Sequence, residues 1–394
     1  MPRFPATARP AVRALGASRI REVANAAMGR SDVLPFWFGE PDAVTASFIR
    51  DAAHRALEAG DTFYHHNLGS EPLRQALSAY LSARHQPVSA DRVAITSSGV
   101  NAIMLAAQTV VSPGDRVVAV VPLWPNVTEI PAILGARVHR VGLRFAAPDA
   151  TGARWHLDIE ELLEALTPDT TMLILNSPSN PTGWVMGSDP MARVLAHCRE
   201  RGIWILSDEA YERLVFDGSR QAPSFLDVAA DDDRLIVANT FSKAWQMTGW
   251  RLGWLVLPAS LAADVAKLIE YNTSCAPGFV QAGALVAVRD GEPLVHSFVD
   301  ELQTRRDTLV QALREIPGVS CDVPAGAMYL FFSLEGERDS LALAKHLVRD
   351  AGIGLAPGSA FGPEGEGFLR WCFARPVEQL RSAAERLAGT LAGR

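Results

Sequence analysis

The chain has 394 residues, 48% of them hydrophobic and 21% charged, with a net charge of −7 and a pI near 5.8. This composition excludes a disordered, collagen-like or low-complexity chain, and it offers no basic balance of the kind a nucleic-acid binder shows. At roughly 150 residues per domain, the length implies two or three domains and enough chain to bury a large core.

Residues 1–30 read as an arm and a helix, and their arginines flank no apolar core of a signal peptide. Beyond them, short β-branched runs alternate with helical stretches. Strands are expected over 93–96, 116–121, 136–141, 171–176, 203–207, 235–240 and 252–257, with helices such as 101–111 and 190–201 between them. Most of these runs are apolar nearly throughout, as in a mostly parallel sheet buried on both faces. The alternation implies an α/β layered domain, placed at 45–290. Only about a dozen residues join the last two runs, which leaves room for one antiparallel strand. From about residue 291 the pattern changes. A long polar helix over 292–315 precedes strands near 319–323 and 329–333, a helix over 340–351, a strand near 369–374 and a final helix over 377–392. This reads as a smaller α+β domain, formed by 31–44 together with 291–394. Cys198, Cys275, Cys321 and Cys372 are scattered without metal or redox spacing, so no zinc site is expected and a reducing, cytoplasmic compartment is the default. No apolar run of about 18 residues occurs, so no membrane partner is expected.

Four strand ends carry polar residues that a plain core does not need, and open α/β sheets bind ligands outside the carboxyl ends of their strands. Thr96-Ser-Ser-Gly-Val-Asn101 precedes a helix. Its small residues expose backbone N–H groups suited to a phosphate, and serve equally well as an ordinary strand–helix turn, being neither a P-loop nor GxGxxG. The loop from Asn176 to Gly183, rich in Asn and Pro, is either a tight turn or a platform that aims one amide. Asp208 ends a third strand, and a buried acid needs a cation, structural or from a ligand. Lys243 follows the fourth strand. Desolvation and nearby cations lower a lysine pKa and free its lone pair for a Schiff base. A lone lysine is ordinarily a surface residue, but this one keeps company with an anion suited to a pyridinium nitrogen, Asp208, and with a phosphate cup of small residues and Arg251. Those are the demands that pyridoxal phosphate makes of a protein.

From about residue 36 to the C-terminus the chain resembles the fold-type I, class I/II aminotransferases of the aspartate aminotransferase superfamily. The resemblance rests on Gly39-Glu-Pro-Asp42, Tyr64 with Gly69 and Leu73-Arg74, Pro113-Gly-Asp115, the loop 176–183, Asp208 with Tyr211, Ser242-Lys243, Arg251-Leu-Gly253, and the segments 357–362 and 369–374, in that order. It implies a large domain with a mostly parallel seven-stranded sheet plus a small α+β domain, pyridoxal 5′-phosphate as cofactor, and an amino acid and a 2-oxo acid as substrates. By the same resemblance Lys243 forms the Schiff base and shuttles the proton, Asp208 keeps the pyridine nitrogen protonated, and Tyr211 and Asn180 hold the cofactor's 3-oxygen. Ser98, Gly99 and Val100, with Thr240, Ser242 and Arg251, receive the phosphate, joined by Tyr64 across a two-fold homodimer interface. Trp124 stacks on the ring, where its other reading is a core aromatic. Arg370 binds the substrate α-carboxylate as a bidentate fork, helped by Gly39 and Asn180.

Departures from the common pattern are few. Val100 stands where a hydroxyl or lysine is usual, Thr240 replaces a frequent serine, and Met328 replaces a common aromatic. In aspartate-specific relatives an arginine from the partner subunit holds the side-chain carboxylate. Counting back from 274–281 places Glu270 there, either as an acid that repels dicarboxylates or as part of a solvated helix face. Trp37, Phe38 and Tyr329 suggest an apolar or aromatic pocket wall, or plain packing. His65 and His66 lack metal spacing and either line the interface or face solvent. The expectation is ping-pong transamination with neutral or aromatic donors favoured over aspartate. A carbon–sulfur β-lyase is the alternative enzyme, and a non-catalytic cofactor-binding sensor module is the remote one, since residues 1–30 are too short for a winged helix.

Overall fold

The structure is a computed structural model that describes residues 6–146 and 154–392. Seven strands form the main sheet: β1 (Val93–Thr96), β2 (Arg116–Val121), β3 (Arg137–Gly142), β4 (Thr170–Asn176), β5 (Trp204–Asp208), β6 (Leu235–Thr240) and β7 (Gly253–Val256). Their order across the sheet is β1-β7-β6-β5-β4-β2-β3. Every pairing is parallel except those of β7, which runs antiparallel to both β1 and β6. The antiparallel strand for which the short connection from β6 to β7 left room is β7; about a dozen residues is the lower limit for a parallel crossover.

Alternate residues of each strand feed one of two cores, one on each face of the sheet. Val118, Leu173, Ile205 and Val237 point to one, while Val117, Met172, Leu206 and Ile236 point to the other. Burial on both faces is why these strands read as unbroken apolar runs. The exception is β3, the outermost strand, which alternates exposed and half-buried residues over most of its length.

A second, antiparallel sheet joins β8 (Val319–Cys321), β9 (Tyr329–Leu334), β10 (Ala356–Pro357) and β11 (Phe368–Cys372) in the order β8-β9-β11-β10. The helices Glu292–Arg314 and Val377–Ala392 pack on one another beside it. The strand expected over 319–323 stops at Cys321, because the Asp322 carboxylate turns to accept the backbone N–H groups of Arg154 at 2.8 Å and Trp155 at 3.1 Å. The helix expected over 340–351 is α-helical through His346 and closes in a wider π turn over Leu347–Ala351.

The N-terminal stretch is stitched to this second sheet. Leu34–Pro35 pairs in parallel with Ile353–Gly354, and Cys372 N–H donates to the Phe36 carbonyl at 3.1 Å. Upstream, the helix Arg19–Ala26, capped by Ser18, buries Ile20 and Val23. That helix hangs over the carboxyl ends of the main sheet and becomes part of the site.

Candidate active site

The carboxyl ends of β1, β4, β5 and β6 open onto a cavity of about 400 Å³, within the range of a small-molecule site. Of the residues singled out in the sequence, Trp37, Gly39, Gly99, Val100, Trp124, Asn180, Asp208, Tyr211, Thr240, Ser242, Lys243, Arg251 and Arg370 all line it. Local hydrogen bonding explains how each is placed.

β4 runs into Asn176, whose amide donates to the Asp208 carbonyl at 3.0 Å and accepts from Asn180 N–H at 2.7 Å. That clamp turns the 176–183 loop so that the Asn180 side chain faces Arg370. Asn180 Oδ1 accepts from Arg370 Nη1 at 2.8 Å, and Asn180 Nδ2 lies 3.5 Å from the Tyr211 hydroxyl. Arg370, on β11, is buried. Its Nη2 donates to the Trp37 carbonyl, while its Nε has no partner. The guanidinium is sandwiched against Tyr329 and Phe361, at 4.3 and 4.9 Å from the ring centres, which fixes its plane. Tyr329, expected as an apolar wall, also contributes a polar contact: its hydroxyl lies 2.7 Å from that of Tyr211.

Asp208 ends β5 in a buried position, and its carboxylate accepts one backbone bond, from Ala210 N–H at 3.2 Å. Burial raises its pKa to about 6, only partly offset by that bond and by Lys243. Lys243 Nζ donates to the Gly39 carbonyl at 2.6 Å. Desolvation is the main cause that lowers its pKa to about 8, and the Arg370 and Arg251 charges push the same way. At Gly39 no side chain fits, since a Cβ would lie 1.8 Å from the Tyr329 hydroxyl.

The far end of the cavity is the start of the helix Gly99–Val110. Ser98 caps it, accepting from Asn101 N–H at 3.1 Å, and holds a strained φ of 144°. Ser98 Oγ accepts that bond and keeps its own O–H to donate; the residue flanks the cavity lining rather than forming part of it. Thr240 Oγ1 donates to the Leu252 carbonyl at 3.0 Å and lies 2.9 Å from Ser242 Oγ. β7 passes so close that a Cβ on Gly253 would meet Gly99 N and Asn239 O at 2.7 Å. Arg251 donates to the Thr248 carbonyl at 2.6 Å and is otherwise open to solvent.

Other residues named from the sequence lie elsewhere. Tyr64 is 88% exposed and does not line the cavity of its own chain. Glu270 ends the helix Ala262–Glu270 and accepts from Asn67 Nδ2 at 2.6 Å. His65 pairs with Asp61 at 2.6 Å, and His66 Nδ1 accepts from Leu68 N–H at 3.2 Å.

Sequence reasoning missed the rim. Ser18, Ile20 and Arg21 line the cavity from a segment read as an arm and a helix with no part in the site. The Arg21 guanidinium lies 5.6 Å from the Phe38 ring centre and has no hydrogen-bond or ion-pair partner among the described residues. The signal was available in Ser18, an N-cap residue opening a short amphipathic helix.

The donor set fits pyridoxal phosphate. A buried carboxylate without a bonded cation, a buried guanidinium with a free Nε, and an amine of lowered pKa share one cavity with a helix N-terminus. The arrangement, on this sheet, defines a fold-type I pyridoxal-phosphate-dependent enzyme. The chain belongs to the aminotransferase class I and II family, whose model matches residues 31–387, and it is a pyridoxal-phosphate-dependent aminotransferase. It is 32% identical to a probable N-acetyl-LL-diaminopimelate aminotransferase of Bacillus subtilis, over 96% of this chain and 94% of that one. It is 31% identical to aromatic-amino-acid aminotransferase 2 of Thermococcus litoralis, over 95% of each chain. The solved structure of aspartate aminotransferase from Thermotoga maritima superposes with a TM-score of 0.89 at 30% identity, covering 98% of this chain and 100% of that one.

Proposed function

We propose that this enzyme runs a ping-pong transamination between an amino acid and a 2-oxo acid, with neutral or aromatic donors preferred over aspartate. The observation that carries the reading is Lys243: a partly desolvated amine, with its pKa lowered to about 8, in the same cavity as Asp208 and Arg370. When bound, pyridoxal phosphate supplies an electron sink for the bond broken at the substrate Cα.

The chain's own groups do the rest. Lys243 Nζ would accept the proton that leaves the substrate Cα and later give it up, which requires an amine that is easily deprotonated. Asp208 holds a positive charge on the pyridine nitrogen, and its buried, under-bonded carboxylate is stabilised by that cation. Asn180 and Tyr211 hold the ring oxygen. Gly99 and Val100 N–H, Thr240, Ser242 and Arg251 hold the phosphate, and Trp124 covers the ring. Arg370 receives the substrate carboxylate, its plane already set by Asn180 and the two rings, with Gly39 and Trp37 alongside.

The chain is read as a large domain over 45–290 and a small one formed by 31–44 with 291–394, which Leu34–Pro35 supports by pairing beside Ile353–Gly354. A homodimer with shared sites is supported by a cluster of exposed aromatics: Phe63 at 83%, Tyr64 at 88% and Tyr271 at 90% exposure. Glu270 sits beside this cluster through its bond to Asn67, so in the dimer it brings the wrong sign for a second substrate carboxylate. The enzyme is read as cytoplasmic; its cysteines are free thiols, as a reducing compartment favours.

The experiment is a half-reaction screen. Each standard amino acid is added to the holoenzyme and the loss of cofactor absorbance is followed. Neutral and aromatic donors react faster than aspartate if the reading holds; a clear aspartate preference overturns it. Pyruvate and ammonia released from cystathionine without a 2-oxo acid would mark β-lyase chemistry instead. Borohydride reduction followed by mass spectrometry places the cofactor on Lys243.

A further inference from the structure

From Asn239, Thr240 and Ser242 in the cavity wall a run of polar groups leads away to residues that the transamination chemistry does not use. His85 follows the helix Glu71–Ser82 and has no solvent exposure of its side chain. Its two ring nitrogens each meet a carboxylate: Nδ1 lies 2.7 Å from Asp227 Oδ1, and Nε2 lies 3.0 Å from Glu212 Oε1. Asp227 is itself anchored, accepting Ser224 N–H at 2.8 Å within a capping box. The other oxygen of Glu212 accepts from Asn239 Nδ2 at 3.1 Å. Asn239 Oδ1 accepts Thr240 N–H at 2.7 Å, and Thr240 Oγ1 receives Ser242 N–H at 3.1 Å and reaches Ser242 Oγ at 2.9 Å. The run Asp227–His85–Glu212–Asn239–Thr240–Ser242 is therefore continuous.

Its ends matter. Glu212 adjoins Tyr211 on the turn that leaves Asp208, and Ser242 adjoins Lys243 on the turn that leaves β6. The run ties these two turns together, with His85, Glu212 and Asp227 outside the cavity lining. A buried imidazole between two carboxylates is also electrostatically committed. Burial pulls its pKa down, but the bonds to Asp227 and Glu212 outweigh that and push it up to about 10. With Glu212 Oε1 held toward the imidazole, Oε2 is left to accept from Asn239.

We propose that His85 is a positioning residue of the transamination site: anchored by Asp227, it aims Glu212 at Asn239 and thereby sets the Thr240–Ser242–Lys243 turn against Asp208. The inference rests on the reading of Thr240, Ser242 and Lys243 as cofactor ligands. It goes beyond that reading because His85, Glu212 and Asp227 do not line the cavity.

The test is a double-mutant cycle on the holoenzyme. His85→Gln removes the imidazolium, Asn239→Ala cuts the run nearer the site, and both are combined. Retention of pyridoxal phosphate is measured as the dissociation constant from its absorbance under dialysis, alongside kcat, KM and thermal denaturation. Each single change should weaken cofactor binding about tenfold and lower kcat more than it raises KM. The double change should be no worse than either single one, since residues on one hydrogen-bonded run are coupled. Additive losses, or binding within about twofold of the parent in folded His85→Gln protein, would overturn the proposal. If His85→Gln fails to fold, Asp227→Asn releases the anchor more gently, and the same non-additivity with Asn239→Ala is expected. Borohydride labelling of the unaltered enzyme separates the two levels. A label away from Lys243 sinks the site reading; a label on Lys243 with additive variants sinks the His85 inference alone.

Discussion

Asp208 and Glu209 are neighbours in the chain, and both carboxylates are buried. Glu209 is closed: Ser207 Oγ donates to it at 2.8 Å, Ser224 Oγ at 2.7 Å and Phe225 N–H at 3.3 Å. Asp208 receives one backbone N–H and points the rest of its acceptor capacity into the cavity. Yet burial raises both, Asp208 to about 6 and Glu209 to about 7, with Glu212 adding to the latter. A perturbed pKa therefore does not distinguish the working acid from the structural one. Unspent hydrogen-bonding capacity aimed at a cavity does.

The comparison breaks most visibly in kinetics. Lys243→Ala should bind cofactor yet lose transamination, a fall of more than about 10³-fold, because it removes the proposed nucleophile and proton carrier. Asp208→Ala should lower kcat about 10²–10³-fold, the usual scale for removing a group that stabilises charge at the reacting centre. Glu209→Gln should instead leave kcat within a few-fold and lower the unfolding free energy by about 1–3 kcal/mol, the penalty for mismatched buried partners. Urea denaturation and steady-state rates on the same samples separate the two. If Glu209→Gln proved the more damaging to kcat, the assignment of roles would be reversed.

Arg370 sharpens the contrast on the substrate side. It is the buried cation left with a free Nε, as Asp208 is the buried anion left with free acceptors. Arg370→Ala should lower kcat/KM for every amino donor by a similar factor, about 10²-fold, since a desolvated charge pair is worth roughly 2–5 kcal/mol. A loss confined to one donor class would place the α-carboxylate elsewhere.

The same pair predicts a pH effect in cofactor-free protein. The folded-state pKa of Asp208, about 6, lies above the ordinary value of 3.8. The folded state therefore holds its proton more tightly, so Asp208 penalises folding progressively as pH rises from about 4 to about 6, and fully above that. The penalty is on the order of 2–3 kcal/mol. Asp208→Asn should remove that slope, so the variant should be the more stable one at pH 7. Bound cofactor should erase the difference by supplying the missing cation. Chemical denaturation at pH 4, 5, 6 and 7, with and without pyridoxal phosphate, checks both signs.

Much of this was legible in the sequence, for a physical reason. Strands buried on both faces must be apolar along their length, so β2, β4, β5 and β6 stand out as runs, and a polar residue at the end of such a run is conspicuous. Asp208 and Lys243 were found that way. His85, Glu212 and Asn239 were not, because their partners lie 127 and 27 positions apart and no local spacing announces the pairing. A turn before a helix predicts exposed donors at 98–100, whereas the bond that Ser98 Oγ accepts from Asn101 N–H shows only in three dimensions. The helix 340–351 ended differently because a π turn leaves no compositional trace.

Arg21 escaped notice for a related reason, and it bears on the smallest predicted effect. Lys243, Arg251, Arg370 and Arg21 all line the cavity, against the single acid Asp208. In the proposed assignment the Schiff base, the phosphate and the α-carboxylate take the first three, which leaves Arg21 for whatever stands at the substrate's far end. The side chain is exposed and held only against Phe38, so its pull on a second carboxylate is that of a solvent-screened pair, below about 1 kcal/mol. Arg21→Ala should therefore lower kcat/KM for aspartate and 2-oxoglutarate by no more than about fivefold. Phenylalanine and methionine, which carry no second carboxylate, should stay within about twofold. A collapse of the dicarboxylic substrates alone, by 100-fold or more, would mean that Arg21 is a true carboxylate site and that the preference for neutral donors has been assigned the wrong way round.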